Sequence, residues 1–317
     1  MTIKPNQVSP DLISRRVILY RMGTALAAVP VIPLLACNSS SGTANNNDDA
    51  SGTDAASSGD TSTIAWATGG TAAMKDKASY PNPFASGAPT ACALSCAMTQ
   101  GPCYSSQSET IQDISYGMNG LPMRMYLQIV DETCTPVSGA LVDVWHVSPA
   151  GKYSGNDSAN EDVAYCTGND GDYTSHVYFR GKQTTDAKGV VFFDSCFPGW
   201  YSGRTVHIHF TITVGSQSYV TTQLFFDDAL TTEIVGSQPI YDARGARDTT
   251  NQNDGVISAA AVGDYLLTTQ KMTDGAMLSW KTIVLRTSLS ESLCTAPGGT
   301  MSGGGPGGDG GPPPGRG

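Results

Sequence analysis

The chain has 317 residues, a formal net charge of −10 at neutral pH and an isoelectric point near 4.7. That acidity speaks against nucleic acid and anionic membrane surfaces as natural partners, because both carry the same sign of charge. Abundant Gly and Thr, weak helical periodicity and short alternating segments between turns point to an all-β fold, a β-sandwich of mostly antiparallel strands with long loops.

Residues 1–36 read as an export signal. Ser14-Arg15-Arg16-Val17-Ile18-Leu19 precedes an apolar run from Met22 to Ala36 that Pro30 and Pro33 interrupt. The run is too short for a spanning helix, which needs about 20 apolar residues. The paired arginines resemble a twin-arginine signal. Leu34-Leu35-Ala36-Cys37 resembles a lipobox, in which Cys37 is lipidated and anchors the chain to the cell envelope; the alternative is a plain secretory signal with an incidental cysteine. Residues 37–85 read as a flexible tether, because Asn38 to Thr63 has no apolar period with which to offset its ordering entropy. Residues 86–296 read as one folded domain and 297–317 as a disordered Gly/Pro-rich tail.

Beyond Cys37 the cysteines are Cys92, Cys96, Cys103, Cys134, Cys166, Cys196 and Cys294. Export favours disulfides, and an odd number leaves at least one thiol free or paired between chains. Cys92 and Cys96 have no second close pair or histidine to complete a zinc tetrahedron.

Within the domain, Met123 to Val130 alternates as a strand, and Ala140 to His146 follows as a second after the turn at Pro136 to Gly139. A polar, Gly-rich excursion runs from Gly151 to about Tyr173, and strands resume at Val190 to Phe193. From Val206 the alternation is strict. Val206, Ile208, Phe210, Ile212 and Val214 take one face, while His207, His209, Thr211 and Thr213 take the other. Two imidazoles so placed can share one ion, although such a pair is more commonly a satisfied or solvent-facing one. Tyr201, on a Pro-Gly turn just upstream, shifts the balance toward a metal site. After Gly215 to Ser218 another strand carries Thr221-Thr222-Gln223-Leu224-Phe225-Phe226.

These segments together resemble the intradiol ring-cleavage dioxygenases. The resemblance rests on Val142-Asp143-Val144-Trp145-His146, Gly151-Lys152-Tyr153-Ser154-Gly155, Tyr178-Phe179-Arg180-Gly181 with Thr185-Asp186, Pro198-Gly199-Trp200-Tyr201-Ser202-Gly203-Arg204, His207-Ile208-His209-Phe210 and Thr221-Thr222-Gln223. They run collinearly from about Gly101 to Phe226. The resemblance implies one mononuclear non-haem Fe(III) per chain, held by Tyr153, Tyr201, His207 and His209, with Arg204 and Gln223 beside the substrate. It implies a catechol and O2 as reactants and a muconate-type diacid as product. Gln112 and Cys103 depart from the family's usual arginine and aromatic near the substrate entrance, which bears on the substrate more than on the chemistry.

Of the remaining candidates, Trp145 and Trp200 read as core or pocket wall, Asp143 as structural, and Asp157 to Asp162 as a solvated loop. His146 and His176 stand outside the four-ligand set. The rival reading is a lipid-anchored β-sandwich that binds metal or aromatics without turnover. Copper on His207 and His209 would need a further nitrogen or soft ligand. Two finer expectations concern geometry. For Gln223 to share the histidines' face, position 209 must oppose 223, so the hairpin needs an odd loop or a bulge. Tyr201, on its turn, is the tyrosine expected to leave the metal during turnover, and Tyr153 the one expected to stay.

Overall fold

The computed structural model describes residues 64–298 apart from Asp76. The export signal, Cys37, the polar stretch to Thr63 and the tail from 299 lie outside the described residues.

Eight strands form two four-stranded sheets, so the expected sandwich is what the chain adopts. One sheet has the order β4(Val190–Cys196), β1(Pro122–Asp131), β8(Met277–Leu285), β7(Thr268–Lys271). The other has the order β3(Arg180–Thr184), β2(Leu141–Trp145), β5(His207–Val214), β6(Gln217–Phe225). Every pairing is antiparallel except β1 with β8. Met123, Met125, Leu127 and Ile129 from β1 meet Val142, Val144, Ile208, Phe210 and Ile212 from the other sheet in one core. Burying side chains of this size stabilises by about 1.5–3 kcal/mol each, which is what holds the two layers together.

The outer face of β1 is also covered, and this moves the start of the folded region. Arg124 lies opposite Asp194 in the register and binds it through Nε at 2.7 Å and Nη2 at 3.0 Å. Its guanidinium also sits 5.3 Å from the ring centroid of Tyr80 and 4.6 Å from that of Phe192. Phe84 packs on Tyr126, Val190 and Leu278, and Trp66 belongs to the main core. Residues 64–85 are therefore not tether but a cover for the sheet, and the expected boundary at 86 falls too late. Their apolar residues are isolated rather than periodic, so no strand or helix pattern announces them.

The described cysteines pair as Cys92–Cys134, Cys96–Cys294 and Cys103–Cys166, leaving Cys196 free and buried. One helix of ten residues, α1(Asp228–Ser237), is capped by the Asp227 side chain, which accepts from Ala229 and Leu230 N–H. No helix among the described residues is long and apolar enough to cross a membrane.

The β5–β6 hairpin has the required register. Val214 pairs with Gln217 across the two-residue connection Gly215-Ser216, which alone would set 209 opposite 222. A bulge between Ile212 and Thr213 leaves Tyr219 unpaired, and the register beyond it places His209 opposite Gln223. Deleting Tyr219 should abolish the bulge yet keep that pairing, because both flanking registers then coincide. A cross-strand nuclear Overhauser contact between positions 209 and 223 in the deletion variant checks it; its loss would show that the bulge is needed for register.

Candidate active site

The histidine face of β5 is not a wet face. His207 and His209 are buried beneath two connections, 146–162 after β2 and 197–206 before β5, which deliver Tyr153 and Tyr201. Where these connections cross, a Cβ at Gly151 (φ +71°) would collide with the carbonyl oxygen of Trp200, so this left-handed position needs glycine for space as well as for backbone conformation. Trp145, the last residue of β2, stacks its indole on His209 with centroids 5.1 Å apart and planes 8° apart, and is fully buried, so it takes the core role of the two expected for it.

Four donor atoms converge. His207 Nε2 lies 3.0 Å from His209 Nε2 and 3.3 Å from the hydroxyl oxygens of Tyr153 and Tyr201. Tyr153 Oη is 3.2 Å from His209 Nε2 and 3.5 Å from Tyr201 Oη. Nδ1–H of His207 donates to the Thr205 carbonyl at 2.6 Å, which fixes the tautomer and turns the Nε2 lone pair inward. Burial, and next the Arg204 cation for His207 and its neighbour His207 for His209, hold both imidazoles well below the ordinary histidine range and hence neutral. Burial, and next Tyr201, raise the Tyr153 phenol well above its ordinary range.

This donor set fits a metal ion. The five donor separations, 3.0–3.5 Å, are of the size found between donors that share one ion at roughly 2.0–2.2 Å. A cation there would bind the inward lone pairs and reverse the bias against phenolate. His146 and His176 do not take part. His146 donates from Nδ1 to Val147 O at 2.7 Å and accepts from the Ser195 hydroxyl at 2.8 Å, and His176 is exposed and stacks on Tyr178. No third imidazole therefore comes to the pair among the described residues, and the copper reading lacks its ligand.

Arg204 borders the set. Its Nε binds Asp254 at 3.0 Å, its Nη2 donates to Gln223 Oε1 at 2.5 Å, and its Nη1 points at His207 Nε2 from 3.4 Å. Gln223 is anchored in turn by donating to Thr99 O at 2.9 Å. Asp254, 1% exposed, also accepts from the backbone N–H groups of Thr205, Val256 and Ile257. Sequence reasoning missed Asp254, because a lone aspartate far from the motifs gives no local signal. It also gave no role to Arg180, which is fully buried and lies 5.9 Å from the Tyr153 ring centroid.

A cavity of about 210 Å³ opens onto the donors, lined also by Thr99, Gly101, Pro102, Cys103, Tyr165, Arg204 and Val256. Cys103 is thus a wall residue, as expected. Gln112 is not; it is exposed, and its amide donates to Asp194 at 3.3 Å, away from the cavity. Asp143 is structural, buried between the Tyr104 hydroxyl and Lys182.

A family model described as Dioxygenase matches residues 99–277. The chain belongs to the intradiol ring-cleavage dioxygenase family. Its structure is similar to an intradiol ring-cleavage dioxygenase from Tetranychus urticae, with TM-score 0.55 and 26% identity, covering 64% of this chain and 99% of that one. In sequence it is 28% identical over 111 residues to chlorocatechol 1,2-dioxygenase of Pseudomonas sp. strain P51. That match covers 29% of this chain and 38% of the relative's length.

Two outcomes follow for this dioxygenase. Asp254→Ala strands the Arg204 cation in a buried place and should cost about 3–5 kcal/mol in urea unfolding; a loss below 1 kcal/mol would show that the pair is dispensable. His146 is held neutral by burial, with its pKa lowered to about 4. Between about pH 6.5 and 4 the unfolded chain takes up this proton and the folded one does not, so stability present above pH 6.5 falls by about 3 kcal/mol as the pH drops. Urea titrations at pH 7 and 4.5 measure the fall, which should shrink in His146→Gln.

Proposed function

We propose that this dioxygenase uses one Fe(III) to cleave a catechol ring between its two hydroxyl-bearing carbons with O2, giving a muconate-type diacid. The observation that carries the reading is the convergence of two phenols and two neutral imidazoles at the floor of a small cavity, with a fixed guanidinium beside them. Tyr153, Tyr201, His207 and His209 would hold the iron, which supplies Lewis acidity to ionise phenols and catechol and an electron-accepting centre for the reaction with O2.

The residues divide the remaining tasks. Tyr201 is partly exposed on its connection, whereas Tyr153 is 4% exposed and held within an aromatic cluster. Tyr201 Oη would therefore be the base that takes a catechol proton, and Tyr153 the fixed member of the donor set. Arg204, locked by Asp254 and Gln223, places a preorganised cation where negative charge develops on the ring.

The cavity also bears on the substrate. Apart from the donors and Arg204, its lining is uncharged. Two of the three guanidinium nitrogens of Arg204 are already engaged, so among the described residues the cavity lining offers no free cation to a substrate carboxylate. An uncharged, small catechol fits best. Three disulfides among the described residues support work in an oxidising compartment, in keeping with export and a lipid tether at Cys37.

The iron-loaded protein should be red to purple from phenolate-to-iron charge transfer, and an oxygen electrode should record uptake on adding catechol. Preference over a ring-carboxylated catechol should be about 100-fold or more in kcat/KM, the scale of discrimination that unpaired charge imposes. Tyr201→Phe should keep iron and lose about 100- to 1,000-fold in turnover, whereas Tyr153→Phe should lose iron. Colour without oxygen uptake would favour a binder without turnover, and a colourless protein filled with zinc or copper would remove the iron reading.

A further inference from the structure

Tyr153 sits on a connection with little regular structure of its own, and its placement depends on a closed circuit of contacts. Its N–H donates to the Cys166 carbonyl at 2.8 Å. Cys166 lies in a short helix, Val163–Thr167, and five residues are too few to be stable alone. The disulfide to Cys103 ties that short helix to the segment 101–103, which lines the cavity. Arg180 closes the circuit from the other side. Its Nε donates to Ser154 O at 2.8 Å and its Nη2 to Cys103 O at 2.6 Å. Tyr153, Cys103, Cys166, Trp145 and Val147 form one buried cluster, against which Tyr165 and Tyr201 pack. A second tie, from Glu161 N–H to Pro102 O at 2.9 Å, joins the same two segments.

We propose that the Cys103–Cys166 disulfide, with Arg180 as its hydrogen-bonded counterpart, is a positioning device that sets the Tyr153 phenol against the histidines and fixes the facing cavity wall. Neither group touches the reacting atoms; both act through Tyr153 and through the 101–103 wall. Within that wall Gly101 faces His209 across a gap that one added carbon would fill, since a Cβ there would lie 3.4 Å from its Cε1. The other two disulfides have no such link: neither contributes a cysteine to the cavity lining or to the Tyr153 cluster. The consequence for metal retention rests on the proposed iron site, but the positioning of Tyr153 does not.

The test compares Cys103→Ser/Cys166→Ser with Cys92→Ser/Cys134→Ser in the full chain. In metal-free protein, exchange of the Tyr153 amide hydrogen should be at least about tenfold faster in the first pair and unchanged in the second. In iron-loaded protein, release of iron to a chelator should be about 10- to 100-fold faster in the first pair, with a shifted visible band, and again unchanged in the second. If the serine pair does not fold, Cys103→Ala/Cys166→Val keeps the cluster apolar for the same measurements. Arg180→Lys should give an intermediate effect on both readouts. Unaltered exchange at Tyr153 in the folded variants overturns the proposal, whatever happens to the melting temperature. Faster exchange in a protein whose wild type holds no iron would instead sustain the positioning role and sink the iron reading.

Discussion

Gathering four lone-pair donors in a dry place is unfavourable unless a cation joins them, and the architecture of this chain is arranged around that constraint. Imidazoles held neutral and a phenol held protonated by burial are unfavourable placements for isolated groups. A cation there would turn these placements into a favourable chelate, which is how the proposed metal accounts for a cluster of buried donors. The two sheets supply rigidity where it counts: His207 and His209 stand on a strand flanked on both sides, and the tyrosines come from crossing connections that can differ in mobility.

Charge near the donors is handled with similar economy. Arg204 lies within hydrogen-bonding distance of His207 without becoming a ligand, because Asp254 and Gln223 hold it from behind. A cation left loose there would move into the cavity or out to solvent. Asp254 is itself secured by three backbone N–H groups, so the orientation of Arg204 is ultimately set by the backbone around Thr205 and Val256.

Much of this was legible in the sequence, for reasons that can be stated. Strict alternation from Val206 fixed the face of both histidines, and the parity of the hairpin required an odd loop or a bulge, because a side chain's face depends only on counting residues. Tyr153 and Tyr201 were readable through the motifs around them. Asp254 was not, since its partner lies fifty positions earlier and no periodicity connects them. Residues 64–85 were misread because a cover needs only isolated large side chains, such as Trp66, Tyr80 and Phe84, at points the fold chooses. Cys103 appeared as a departure at the entrance, but its pairing with Cys166 and its shared cluster with Tyr153 appear only in three dimensions. Gln112 shows the opposite failure: a substitution weighed as a substrate determinant sits away from the cavity.

The parallel pairing of β1 with β8 has a kinetic consequence. The sheet bearing the histidines is built from residues 141–225, near neighbours in the chain, whereas the opposing layer must join residue 123 to residue 277. Contacts so distant in sequence close slowly. During synthesis all four donor side chains therefore emerge, and the histidines' sheet can assemble, before the strand that seals the core exists. For that interval the nascent chain carries the donor set without a finished hydrophobic floor, so the order of chain emergence decides whether the proposed metal would meet a half-built or a completed domain.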